Sequence, residues 1–284
     1  MARMRSEAIK QLIWGYGRAE LALERGKVAG RRFLQGLASV ALSAAEREEI
    51  GLRIYDRGFR PDRVERGLYD WERPWFAEVL PPPPARILLG GAGEGREVVS
   101  LLAQGYRVTA FEPGPRSAAH CAQRAGARGV VLCGRYADLT DAVLRSRSTP
   151  LSCLAHERFD AVILGWGSFT HVFPRSARGE LLEAACRLSP DGPILASFFM
   201  RSSGAPKVSR AERAGQAFGR LLDRRAEPSE RLEFVPHLGF AYSFTREEIE
   251  ELGAALGRCT EWGPKGVYPH AAWLRRRASA TRSS

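Results

Sequence analysis

The chain has 284 residues, of which 44% are apolar and 26% charged, with a formal net charge of +11. That composition supports a sizeable core, excludes a wholly disordered chain, and contains no run near the roughly 18 uncharged apolar residues of a membrane helix. The five cysteines are scattered without CxxC or His/Cys metal spacing, and the N-terminus carries no apolar stretch of a secretory signal; the expectation is reduced thiols, no metal and a cytoplasmic location.

Residues 1–80 read mainly as helix, with Ile9, Leu12, Ile13 and Tyr16 at helical spacing. Gly15, Gly17, Gly26, Gly30 and Gly36 argue against one long helix there. A second helix covers Ser43 to Arg57, with Ser43 as N-cap and Glu46 three residues on. An aromatic segment (Tyr55, Phe59, Tyr69, Trp71, Trp75, Phe76) precedes Pro81 to Pro84, a stiff connector. From Ala85 strands and helices alternate. Strands are expected at Ile87–Leu89, Arg107–Phe111, Val130–Cys133, Phe159–Leu164 and Pro193–Phe199. Helices are expected at Glu94–Gln104, Arg116–Arg124, Leu139–Leu144 and Arg178–Leu188. This order predicts a parallel sheet with helices on both faces. Residues 201–231 are polar and basic and read as an insertion or lid. Thr245 to Glu248 is a capping box opening a helix to about Leu256, and Cys259–Trp262 and Val267–Leu274 make a closing strand pair. The tail, 276–284, is expected to be disordered.

Ile87 to Leu89 runs into Gly90-Gly91-Ala92-Gly93-Glu94-Gly95 and then a helix. Glycines permit the tight turn and close backbone approach, and the helix start presents unpaired N–H groups. Glu112, followed by Pro113, ends the next strand where a carboxylate can accept two ribose hydroxyls. A dinucleotide fingerprint would place Gly or Ala at Arg96, and an ATP loop would need Gly-Lys-Ser/Thr after Gly95; neither is present. The G-x-G-x-G spacing of Gly91, Gly93 and Gly95 resembles motif I of the class I S-adenosylmethionine-dependent methyltransferases.

The resemblance covers about 85–275. It implies a Rossmann-like α/β fold with a seven-stranded, mostly parallel sheet, preceded here by a helical cap at 1–80. It implies S-adenosylmethionine as cofactor, held by Gly91, Ala92, Gly93, Gly95, Glu112, Pro113, Arg135, Tyr136, Gly165 and Trp166. Glu112 falls at the family's ribose position and Arg135-Tyr136 at its adenine edge. The chain departs from the family pattern at Leu89, where an acid often stands, and at Arg135, where Asp is frequent.

His171, on the loop after strand four, is the candidate general base, because doubly wound folds bind ligands at that sheet edge and imidazole titrates near neutrality. Its bland alternative is a capping or packing role. Tyr55, Trp71 and His237 are candidate substrate contacts, with a staple holding the helical cap to the sheet as the alternative for Tyr55 and Trp71. Strand four is followed neither by Asn/Asp-Pro-Pro-Tyr/Phe nor by Pro-Cys, and no Asp/Asn cluster suggests magnesium. The expected acceptor is therefore a small or medium-sized molecule. A basic-surface RNA or protein methyltransferase and a non-catalytic relative of the fold stay open.

Overall fold

The computed structural model describes residues 2–60, 65–201, 208–222, 230, 232–264 and 269–275. The expected tail at 276–284 lies outside the described residues, as do 202–207, 223–229 and 231 of the expected insertion. The chain divides into two compact units, one of residues 1–43 with 205–234 and one of 44–204 with 235–284. The first unit thus takes in the start of the chain up to Ser43.

In the first unit, α1 (Ala2–Ala41) is one continuous helix despite its glycines. Its partner is α8 (Arg210–Leu222). A Cβ on Gly36 would lie 2.0 Å from the Glu212 carbonyl oxygen, and one on Gly215 would lie 2.1 Å from that of Phe33. The two backbones approach so closely only because these positions lack side chains. Gln35 Nε2 donates to buried Glu212 Oε1 (3.1 Å) beside the contact, so the polar atoms enclosed there are satisfied.

The second unit holds the sheet. Its strands are β1 (Arg86–Gly90), β2 (Arg107–Glu112), β3 (Val130–Cys133), β4 (Ala161–Leu164), β5 (Ile194–Ser197), β6 (Arg258–Trp262) and β7 (His270–Arg275). Their order is β6-β7-β5-β4-β1-β2-β3. The first five are mutually parallel, while β7 runs antiparallel to both β5 and β6. This is the expected seven-stranded, mostly parallel, Rossmann-like sheet.

Because strand side chains alternate, the central strands feed two cores. Leu88, Val162, Leu164 and Ala196 enter one with Phe111, Phe169 and Trp273. Ile87, Leu89, Ala161, Ile163 and Leu195 enter the other with Val98, Leu101 and Trp75. The helices of this unit are α2 (Ala44–Arg57), α3 (Glu72–Val79), α4 (Arg96–Ala103), α5 (Pro115–Ala125), α6 (Tyr136–Arg145), α7 (Arg175–Leu188) and α9 (Arg246–Ala255). Helix α6 starts three residues before its expected position. Asp138 explains this: its carboxylate accepts the Arg135 N–H (2.8 Å) and satisfies an orphan donor at the helix start. Helix α9 opens with the expected box, Thr245 Oγ1 accepting from Glu248 N and Glu248 Oε2 from Thr245 N.

Buried Arg258, which carries no sequence signal, donates to the carbonyls of Ser189, Pro190, Gly192 and Trp273. It thereby ties the turn before β5 to the closing strand pair, and its own charge is solvated by four backbone dipoles.

Candidate functional site

A cavity of about 360 Å³ opens at the carboxyl ends of the parallel strands, within the range of small-ligand sites. The described residues lining it all belong to the second unit. They bring together most of the candidate positions: Gly91, Ala92, Gly93, Glu112, Pro113, Arg135, Tyr136, Trp166, His171, Tyr55 and His237.

The glycine turn forms its floor. Gly93 has φ +54°, and a Cβ there would stand 2.9 Å from the Tyr55 hydroxyl. Glu112, at the end of β2, is 3% exposed. Its Oε2 accepts the Gly93 N–H (2.8 Å) and its Oε1 the Gly114 N–H (2.9 Å). Each carboxylate oxygen has a further lone pair, so the group can still accept from a ligand's hydroxyls. At the β3 end, Tyr136 packs edge-on against Phe111, and its hydroxyl meets Ser168 Oγ at 2.6 Å.

The loop after β4 is fixed at several points. Gly165 N–H donates to the Gly90 carbonyl (2.7 Å), Gly167 N–H to Ser197 Oγ (2.7 Å), and Ser168 Oγ to the Gly165 carbonyl (2.7 Å). At the end of this loop His171 Nδ1 lies 2.8 Å from the Phe240 carbonyl. A carbonyl only accepts, so Nδ1 carries the proton and Nε2 keeps its lone pair. Burial holds the imidazole below its ordinary pKa, with the Phe240 contact opposing the shift. The ring is thus a neutral acceptor at physiological pH.

Three candidate positions do not line the cavity. Trp71 instead stacks on His270, ring centroids 4.1 Å apart, and lies against Tyr69. A β-strand histidine far along the chain competes for that aromatic face, which no local pattern reveals. Gly165 serves as packing: a Cβ there would be 2.5 Å from the Gly91 carbonyl oxygen. Gly95 sits behind the turn, against Cys121.

Other wall residues were not anticipated. Helix α2 contributes Arg47, Glu48, Gly51 and Leu52 beside the expected Tyr55. These lie at offsets 0, +1, +4, +5 and +8, one face of a helix. Residues 44–80 thus supply part of the wall expected from a cap spanning 1–80. Glu48 is held above the ordinary carboxylate range by burial, partly opposed by Arg135. Glu97, on α4, accepts the Trp166 N–H (3.2 Å) and is only 5% exposed. Arg96 beside it is paired with Glu72 (2.8 Å through Nη2), donates to the Gly67 carbonyl and lies over the Tyr69 ring.

Burial pushes the carboxyls of Glu97 and Glu112 up to about 7. Arg96 opposes the shift at Glu97, and the Gly114 and Gly93 N–H groups oppose it at Glu112. The sign for stability follows. A carboxyl that holds its proton more tightly when folded stabilises the fold below its unfolded pKa, and that contribution is lost as pH rises through about 7. The melting temperature of the protein without added ligand is therefore expected to fall as pH rises from about 5 to about 7 and to level off above that, and Glu112→Gln is expected to flatten the fall. An unchanged slope in that variant would contradict the assignment.

Among the described residues no group of His, Cys, Asp or Glu could hold a metal ion, and no helix is long and apolar enough to cross a membrane. No family model and no curated protein matches the chain. Solved structures with a similar backbone include magnesium protoporphyrin IX methyltransferase from Synechocystis PCC 6803, at 15% identity over 76% of this chain and 79% of that one, TM-score 0.45. A 1,6-didemethyltoxoflavin-N1-methyltransferase from Burkholderia thailandensis is similar at 22% identity over 68% and 72%, TM-score 0.45. A SAM-dependent methyltransferase from Methanosarcina mazei is similar at 16% identity over 74% and 100%, TM-score 0.49. At TM-scores below 0.5 these likenesses carry no weight of their own. The assignment of the fold rests on the strand order: a parallel block β3-β2-β1-β4-β5 closed by an antiparallel β7 beside β6, with a glycine turn after β1 and a carboxylate at the end of β2. That is the arrangement expected from the sequence.

Proposed function

We propose that the chain is an S-adenosylmethionine-dependent methyltransferase acting on a small or medium-sized acceptor at oxygen or nitrogen. The observation that carries this reading is the buried Glu112 carboxylate. It is bonded across the glycine turn to the Gly93 N–H and still faces the cavity.

The residues present suit the cofactor. Glu112 would accept the ribose hydroxyls, the turn from Gly91 to Gly93 would lie under the ligand, and Pro113, Arg135 and Tyr136 would wall the adenine. When bound, S-adenosylmethionine supplies a methyl group already activated by its sulfonium. What the protein adds is alignment, exclusion of water and, for an acidic acceptor, a place for the proton. Tyr55, Tyr69, Trp166, Phe173 and Phe240 provide apolar and aromatic wall. Aromatic faces also favour a cationic centre, by roughly 0.5–2 kcal/mol. His171 Nε2 would take the acceptor's proton while Nδ1–H stays bonded to the Phe240 carbonyl. His237 and Phe199 line the same cavity and would contact the acceptor. The five cysteines are free thiols, in keeping with a cytoplasmic enzyme.

His171→Asn is expected to lower kcat by about a hundredfold while leaving cofactor affinity within about twofold. Wild-type turnover should show an acid limb below the ordinary histidine pKa that the variant lacks. Equal losses in kcat and in cofactor binding would assign His171 to packing instead. The acceptor class is tested by incubating the protein with methyl-labelled S-adenosylmethionine and separate small-molecule, RNA and protein fractions. Label is expected in the small-molecule fraction; label in RNA or protein would move the function to the basic-surface alternative.

A further inference from the structure

Leu89 is fully buried in the core beneath the sheet, so the strand contributes no acid where the resemblance places one. The cavity offers a carboxylate elsewhere. It runs along the carboxyl ends of the strands, with Glu112 on the β2 side, Arg135 and Tyr136 after β3, the glycine turn after β1, and Trp166 to His171 after β4. A nucleoside fixed at Glu112 and Tyr136 leaves the rest of its molecule lying toward β1 and β4. Glu97 lines the cavity there, two residues into α4, its carboxylate bonded to the Trp166 N–H.

The charges around it do not balance. Arg96 lies 3.5 Å from Glu97 but is held by both oxygens of Glu72, by the Gly67 carbonyl and by the Tyr69 ring. One guanidinium thus serves two buried carboxylates, leaving one negative charge in excess when Glu97 is ionised. Removing a carboxylate from water is costly unless a cation accompanies it. Groups facing Glu97 are Arg96 on its own helix, Glu72 at the start of α3, Cys121 on α5 and Tyr136 on α6. Among these described residues, only Arg96 is cationic.

We infer that Glu97 is the receptor for the amino-acid ammonium of the bound cofactor, a role moved from the end of β1 to the first turn of α4. This rests on the cofactor reading above. The ammonium completes the Glu72–Arg96–Glu97 charge set. Because Glu97 also holds the Trp166 N–H, it joins cofactor occupancy to the loop that ends in His171. Burial keeps the Glu97 carboxyl near 7, so arrival of the cation drives a proton off it and affinity rises as pH increases through that value.

Two ligands test this: S-adenosylhomocysteine, which carries the ammonium, and 5′-methylthioadenosine, the same nucleoside thioether without the amino-acid part. Calorimetry with Glu97→Gln is expected to show affinity for S-adenosylhomocysteine reduced about tenfold or more and affinity for 5′-methylthioadenosine unchanged. In the wild type at about pH 6, S-adenosylhomocysteine should release more protons than 5′-methylthioadenosine, and the difference should vanish in the variant. Unchanged affinity for S-adenosylhomocysteine in the variant, or an equal loss for both ligands, overturns the role of Glu97 while leaving the nucleoside site intact. Failure of the wild type to bind either ligand overturns both the inference and the cofactor reading.

Discussion

Glu112→Ala is expected to weaken S-adenosylhomocysteine binding by about a hundredfold. Hydrogen bonds to a charged partner contribute roughly 1.5–3 kcal/mol each, and the carboxylate would receive two ribose hydroxyls, so about 3 kcal/mol or more is lost. The same substitution removes the acceptor for the Gly93 and Gly114 N–H groups, so the turn loses its anchor at the place where it approaches the ligand. Glu112→Gln keeps the shape and one acceptor oxygen, and an intermediate loss is expected. Calorimetry that finds full affinity in a folded Glu112→Ala protein would remove this residue from the site.

Gly93→Val should lower cofactor affinity below detection while the far-ultraviolet circular dichroism stays close to that of the wild type. Two effects coincide at this position. A backbone φ of +54° is in the left-handed region, where a β-branched residue is strained by about 1–3 kcal/mol. The new Cβ would also meet the Tyr55 hydroxyl at 2.9 Å, so either the turn or Tyr55 must shift, and both line the cavity. The position sits at the cavity floor rather than among the buried apolar side chains of either core, so the sheet should survive. Retained binding would show that this turn is only a connection between β1 and α4.

The sheet was legible because its signals are local. Short apolar runs such as Ile87–Leu89 and Phe159–Leu164 alternate with helical segments, and both faces of the central strands are buried, which leaves continuous apolar stretches. The glycine turn and Glu112 were legible for the same reason, since spacing along the chain carries them. What could not be read depends on partners distant in sequence. Arg47 and Glu48 on α2 look like a solvated helix face until the helix is laid along the cavity. Trp71 looks like a ligand contact until His270, on β7, takes its ring. The break at Ser43 is invisible because the close approach of Gly36 and Gly215 joins residues from opposite ends of the chain. Glu97 follows the glycine motif by two residues, yet only the buried Glu72–Arg96 pair reveals its excess charge.

The most direct measurement is a crystal structure of the protein with S-adenosylhomocysteine. The account predicts the adenosine over the turn from Gly91 to Gly93, with both ribose hydroxyls within hydrogen-bond distance of Glu112, roughly 2.5–3.0 Å, and the amino-acid part running toward Trp166. Density for the ligand with its ribose away from Glu112, or none in the cavity at saturating concentration, would contradict it.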